Sequence, residues 1–187
     1  MSLDVALAQA QLEGAGIDLA SFIRDVPDYP SAGILFKDIT GLLVDPAAFA
    51  AAIEALVAFV PADADLISGM EARGFIVGAA LAGRLGKGFV PIRKAGKLPP
   101  PTRRLTYSLE YGEASVEIRE GTVEAGARVM LIDDVLATGG TAAAGAELLE
   151  QLGAVVVGLG FVLELEGLGG RERLSGRTVC SVLAAAS

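Results

Sequence analysis

The sequence predicts an α/β fold with a central, mostly parallel sheet of about five strands flanked by helices. Three observations carry that expectation. Short apolar runs alternate with stretches of helical period, the arrangement that forces parallel pairing through crossovers. One such run, Val129-Met130-Leu131-Ile132, ends on two carboxylates, Asp133-Asp134, and then on a glycine and threonine loop that opens an alanine-rich helix. Between the halves, two alternating segments flank Tyr111-Gly112-Glu113 and read as an antiparallel hairpin.

Taken in order, the chain offers helical segments over Leu3 to Glu13 and Leu19 to Asp25, then an irregular stretch from Pro27 to Lys37. Asp45 caps the next helix and Pro46 suits its first position, with Phe49, Ile53, Leu56, Val57 and Val60 on one face. A strand near Leu66 to Ser68, a helix from Phe75 to Leu85 and a strand over Phe89 to Ile92 follow. Leu105 to Glu110 and Ser115 to Arg119 form the hairpin. The alternation then resumes with a strand over Val129 to Ile132, a helix over Thr141 to Leu152, and strands over Val155 to Val162 and Thr178 to Leu183. No repeat or linker interrupts the 187 residues, so one domain over 1–187 is expected.

Composition narrows the chemistry. There are no histidines, which removes histidine triads, histidine bases and histidine metal sites. The single cysteine, Cys180, lies in an apolar run and reads as a buried thiol. A net charge of −8 argues against nonspecific nucleic-acid binding, yet Arg93, Lys94, Lys97, Arg103 and Arg104 form one basic island suited to a small anion. The first ten residues carry Asp4 and lack the pattern of a signal peptide, and no uncharged stretch could cross a bilayer, so a cytoplasmic protein is expected.

The segment from Asp133 to Thr141 is the most informative. In an open α/β sheet ligands bind beyond the carboxyl ends of strands, where Asp133 and Asp134 can accept hydrogen bonds from vicinal sugar hydroxyls. Ala137, Thr138, Gly139, Gly140 and Thr141 then supply backbone N–H groups, hydroxyls and a helix N-terminus, which suit a phosphate. A ribose carrying a 5′-phosphate fits both halves. A nucleotide hydrolase would need a Gly-Lys-Ser/Thr loop with a glycine five positions earlier. The two Gly-Lys pairs, Gly86-Lys87 and Gly96-Lys97, have Leu81 and Pro91 at that position and no Ser or Thr after the lysine.

The segment resembles the pyrophosphate-sugar motif of the type I phosphoribosyltransferases. Val26-Pro27-Asp28-Tyr29-Pro30, Gly33 to Thr40, Glu71-Ala72-Arg73-Gly74-Phe75, Arg93 to Pro99 and Tyr107 to Gly112 resemble the members that take adenine, in the same order and spacing. The resemblance implies transfer of a phosphoribosyl group from 5-phosphoribosyl 1-pyrophosphate (PRPP) to adenine, for purine salvage. It implies a hood built from about residues 1–40 and the C-terminal segment, a flexible hairpin loop over about 95–112, and a homodimer.

It also implies roles. Glu110 and Arg73 would be catalytic, and Ala72, Arg73, Arg93, Lys94 and Lys97 would hold pyrophosphate. Leu35, Phe36 and Lys37 would bind adenine, backbone groups reading the edge while Phe36 stacks on the ring. Mg²⁺ would be held mainly by substrate oxygens and water, with Asp133 or Asp134 touching those waters. Pro100 departs from the glycine of many relatives and should stiffen its loop. Rival readings are transfer to another purine base, and a noncatalytic nucleotide-binding regulator.

Overall fold

The computed structural model describes residues 16–108 and 112–187, so the helix expected over Leu3 to Glu13 and the hairpin-tip residue Glu110 lie outside the described residues. The first described element is a single 3₁₀ turn, Leu19–Phe22, whose Ala20 N–H donates to the Asp18 carboxylate at 3.1 Å. The helix expected as far as Asp25 stops there. Ile23 is already extended, and strand β1 (Arg24–Pro27) pairs antiparallel with β2 (Leu35–Asp38) as a separate two-stranded sheet. The irregular chain expected over Pro27 to Lys37 is therefore shorter. Leu35, Phe36 and Lys37 are ladder residues, opposite Pro27, Val26 and Asp25. The pairing is nonlocal, which hides it from local periodicity.

Helix α1 (Thr40–Val44) leads into α2 (Pro46–Val57), where the expected cap is present. The Asp45 carboxylate accepts from the N–H groups of Ala47 and Ala48 at 3.0 and 2.8 Å, satisfying donors that the first turn cannot pair internally. The deepest residues of α2 are Ala48, Ala52, Ile53, Ala55 and Leu56, while Phe49 and Val57 pack at the margin. Alanines bring this helix close to its neighbours.

The main sheet has seven strands in the order β5-β6-β4-β3-β7-β8-β9. These are β3 (Leu66–Met70), β4 (Gly88–Lys94), β5 (Thr102–Ser108), β6 (Glu113–Arg119), β7 (Arg128–Leu136), β8 (Val155–Glu166) and β9 (Val179–Ala186). Strands β4, β3, β7, β8 and β9 are mutually parallel, as the alternation predicts. The hairpin extends the sheet antiparallel, joining β4 through Arg93↔Glu117 and Lys94↔Val116. Helix α3 (Arg73–Leu85) joins β3 to β4, α4 (Gly140–Gln151) joins β7 to β8, and a short α5 (Gly170–Arg173) precedes β9.

Two apolar clusters sandwich the sheet. One gathers α2 and α3 against Ile67, Met130, Ile132, Val162 and Val182; the other gathers α4 against Val90, Ile92, Leu131, Leu159 and Phe161. Both faces are covered, which matches the near-continuous apolar runs of the parallel strands. Cys180 is buried, with its thiol 3.4 Å from the Leu159 carbonyl, as its apolar setting predicts. No helix among the described residues is long and apolar enough to cross a membrane.

Candidate active site

Strands β3 and β7 are neighbours with Gly69 opposite Ile132. Strand β7 runs past its expected end at Ile132 to Leu136 because β8 pairs with it that far, so the residues that follow β3 emerge beside the paired acids within the last residues of β7. From β3 come Glu71, Ala72 and Arg73; from β7 come Asp133 and Asp134. The Arg73 Nε lies 2.7 Å from the Asp134 Oδ2. Asp134 is buried, and that oxygen has no hydrogen bond of acceptable angle, so the contact is chiefly an ion pair. The Arg73 guanidinium also stands 5.1 Å over the Phe36 ring, linking the two-stranded sheet to the paired acids.

Gly74 explains why helix α3 can begin so close to β7. A Cβ there would sit 2.7 Å from the Asp133 Oδ1 and 3.0 Å from the Ile132 carbonyl oxygen. The same Asp133 Oδ1 accepts from the Asp134 N–H at 2.9 Å. Burial pushes the Asp133 carboxyl well above the usual carboxylate range, and the adjacent Asp134 charge adds to the shift. An acid whose folded pKa is raised weakens the fold as pH climbs from its unfolded pKa through the raised value. Asp133→Asn should therefore melt at a higher temperature than the parent at neutral pH, with the gap closing below about pH 4. About 2–4 °C is expected for each ~1 kcal/mol relieved, measured by calorimetry across pH without ligand.

A cavity of about 700 Å³ opens between these elements and the hairpin, lined by Glu71, Ala72, Arg73, Lys94, Tyr107, Ser115, Asp133, Asp134 and Thr141 among others. A smaller one of about 90 Å³ is wrapped by the loop from Ala137 to Thr141, and both cavities share Asp133 and Thr141. Paired acids and anion cradle are thus contiguous, as the sequence order implies. Gly139 adopts φ +76 and hands over to α4 at Gly140, which turns the loop into the helix N-terminus.

The basic island divides. Lys94 lines the larger cavity, whereas Arg93 donates to the Glu71 carboxylate at 3.2 and 3.4 Å and to the Lys97 carbonyl at 3.3 Å. Neither Arg93 nor Lys97 lines that cavity. Glu71 also accepts from the Lys94 N–H at 2.9 Å, and these donors hold its carboxyl below the usual range against the opposing effect of burial. Of the base-binding set, Leu35 is exposed, Phe36 is half-buried, and Lys37 pairs with Asp25 at 2.8 Å.

Comparison with known proteins places this geometry. The phosphoribosyl transferase domain family matches residues 40–182. Adenine phosphoribosyltransferase of Acidothermus cellulolyticus is 55% identical over 166 residues, covering 88% of this chain and 94% of that protein. The crystal structure of adenine phosphoribosyltransferase from Thermoanaerobacter pseudethanolicus superposes with a TM-score of 0.86 at 48% identity, covering 89% of this chain and 98% of that one.

The chain belongs to the adenine phosphoribosyltransferases.

The yeast (Saccharomyces cerevisiae) adenine phosphoribosyltransferase, crystallised with an imino-altritol bisphosphate and adenine, has a TM-score of 0.84 at 41% identity, covering 95% of this chain and 99% of that one. In this adenine phosphoribosyltransferase, sequence reasoning missed two participants in the site. The Tyr107 hydroxyl lies 3.2 Å from the Thr141 Oγ1, tying the hairpin to the phosphate-type loop. Glu71 organises Arg93 and Lys94. An aromatic in an alternating strand and an acid in a turn carry no local mark of such partners.

Proposed function

We propose that this chain transfers the phosphoribosyl group of PRPP to adenine, giving AMP and pyrophosphate, in purine salvage. The observation that carries the reading is the contiguity of the Asp133, Asp134 and Arg73 cluster with the Ala137 to Thr141 cradle. The cradle takes the 5′-phosphate on backbone N–H groups and the end of α4, and the paired acids take the ribose hydroxyls. Pyrophosphate then extends toward Ala72, Arg73 and Lys94, with Arg93 and Lys97 closing over it.

As the anomeric bond breaks, positive charge grows on the sugar and negative charge on the leaving group. Arg73 holds that leaving charge, and Glu110 offsets the sugar's charge and assists proton movement on the base. Adenine lies against Phe36. Among the described residues strand β2 pairs along one edge, with β1, which leaves N–H and C=O groups of the Leu35 to Lys37 segment on the other edge for the base. A fixed carbonyl accepts from the amino group of adenine and opposes the oxo group of guanine or hypoxanthine.

The acidic pair suits Mg²⁺. No cluster of three acidic or thiol ligands exists among the described residues, so Asp133 and Asp134 would touch an ion bound mainly through substrate oxygens and water. That ion would neutralise charge on the diphosphate. Residues 16–40 form part of a hood, the hairpin over about 95–112 moves across the site, and the protein is a cytoplasmic homodimer that binds neither nucleic acid nor membrane.

The deciding experiment is AMP formation from adenine and PRPP by the purified protein, with and without Mg²⁺. Metal-dependent AMP synthesis, with hypoxanthine, guanine and xanthine poorly used, is expected. Absence of AMP would overturn the reading, and light scattering tests the dimer.

A further inference from the structure

The segment between β8 and β9 lines none of the proposed substrate contacts, yet it backs the phosphate loop at close range. Gly170 packs so tightly that a Cβ there would fall 2.2 Å from the Ala137 carbonyl oxygen and 2.9 Å from Leu136. The contact is reciprocal. A Cβ on Gly139, the loop residue with positive φ, would lie 2.7 Å from the Gly170 carbonyl oxygen. The loop's shape is thus set by where the Gly169-Gly170 backbone stands.

Arg171 fixes that backbone. Its Nε donates to the Glu164 carboxylate at 2.9 Å, its Nη2 donates to the same carboxylate, and its Nη1 donates to the Val179 carbonyl at 3.1 Å. The Ser181 hydroxyl donates to Glu164 at 2.9 Å, so β8 and β9 both grip the guanidinium. Glu164 in turn sits opposite Leu136, the last residue of β7 before the loop. A planar fork held on three sides resists rotation more than a single contact would.

We infer that Arg171 is a positioning residue for the 5′-phosphate: through Gly170 it holds the Ala137 to Thr141 loop in the shape that grips the anion. The inference rests on the phosphoribosyl reading of that loop. Misplacing a binding group by ~1 Å can cost up to about 100-fold, and the consequence should be confined to the phosphate end of the substrate.

Titration calorimetry with ribose 5-phosphate and, separately, pyrophosphate distinguishes this role from general support of the fold. Arg171→Ala should weaken ribose 5-phosphate by about tenfold to 100-fold, leave pyrophosphate affinity unchanged, and raise KM for PRPP more than it lowers kcat. Arg171→Lys, which keeps the charge without the fork, should recover part of the loss. Should Arg171→Ala not fold, Ser181→Ala removes one arm of the grip and should show the same selective loss at smaller size. Equal weakening of both ligands, or of neither, overturns the role. If the parent protein itself binds no ribose 5-phosphate, it is the functional reading that fails.

Discussion

Glu110→Gln should lower kcat by about 100-fold to 10,000-fold, the usual worth of a positioned acid or base, while AMP still binds. The substitution keeps size and hydrogen-bonding capacity and removes only the charge and the titrating proton. The residue stands two beyond Ser108, where β5 ends, on a hairpin whose Tyr107 meets Thr141 of the phosphate loop. That contact ties the end of β5 to the loop that opens α4. Single-turnover kinetics with adenine and PRPP, alongside equilibrium binding of AMP, gives the answer. Unchanged turnover would remove Glu110 from the chemistry, and lost AMP affinity would recast it as a binding residue.

Arg73→Ala should lower kcat/KM for PRPP by about 100-fold to 1,000-fold, the scale seen when one preorganised donor to a developing anion is removed. Two effects add here. The leaving group would lose the guanidinium proposed to hold it, and Asp134, buried and 2.7 Å from Arg73, is left facing Asp133 without that counter-charge. The second effect predicts a diagnostic interaction. In Arg73→Ala the stabilisation gained from Asp133→Asn should exceed that in the parent, because the repulsion between the acids is then unopposed. A double-mutant cycle by thermal melting measures it, and simple additivity would show that Arg73 does not shield the pair.

Much of the site was legible because its grammar is local. The run from Val129 to Thr141 places strand, acids, loop and helix in consecutive residues, and the structure keeps strand, loop and helix while carrying β7 through the acids to Leu136. Asp45 and Pro46 mark their helix for the same reason. Sequence reading failed where partners are distant. Leu35 to Lys37 are a strand only because Pro27, Val26 and Asp25 lie opposite, and the short 3₁₀ turn at Leu19 yields to that pairing. Nothing local shows that Arg93 of the basic island donates to Glu71, 22 positions earlier in sequence. Nothing near Arg171 announces that Glu164 and Ser181 hold it, or that its neighbour buttresses a loop 30 positions back.

The five parallel strands have a second consequence, for how this chain can change. The Glu71 to Arg73 segment after β3 and the Ala137 to Thr141 loop after β7 leave the main sheet at one rim. The opposite rim is laced by backbone bonds: Asp65 N–H to the Arg128 carbonyl at 2.8 Å, Gly126 N–H to Gly153 at 2.7 Å, and Val155 N–H to Ala127 at 2.8 Å. Durability and chemistry are thus anchored some distance apart. Substitutions that tighten the laced rim can accumulate with little tax on turnover, giving the acidic, self-repelling end a margin of stability on which new base or sugar preferences could be tried.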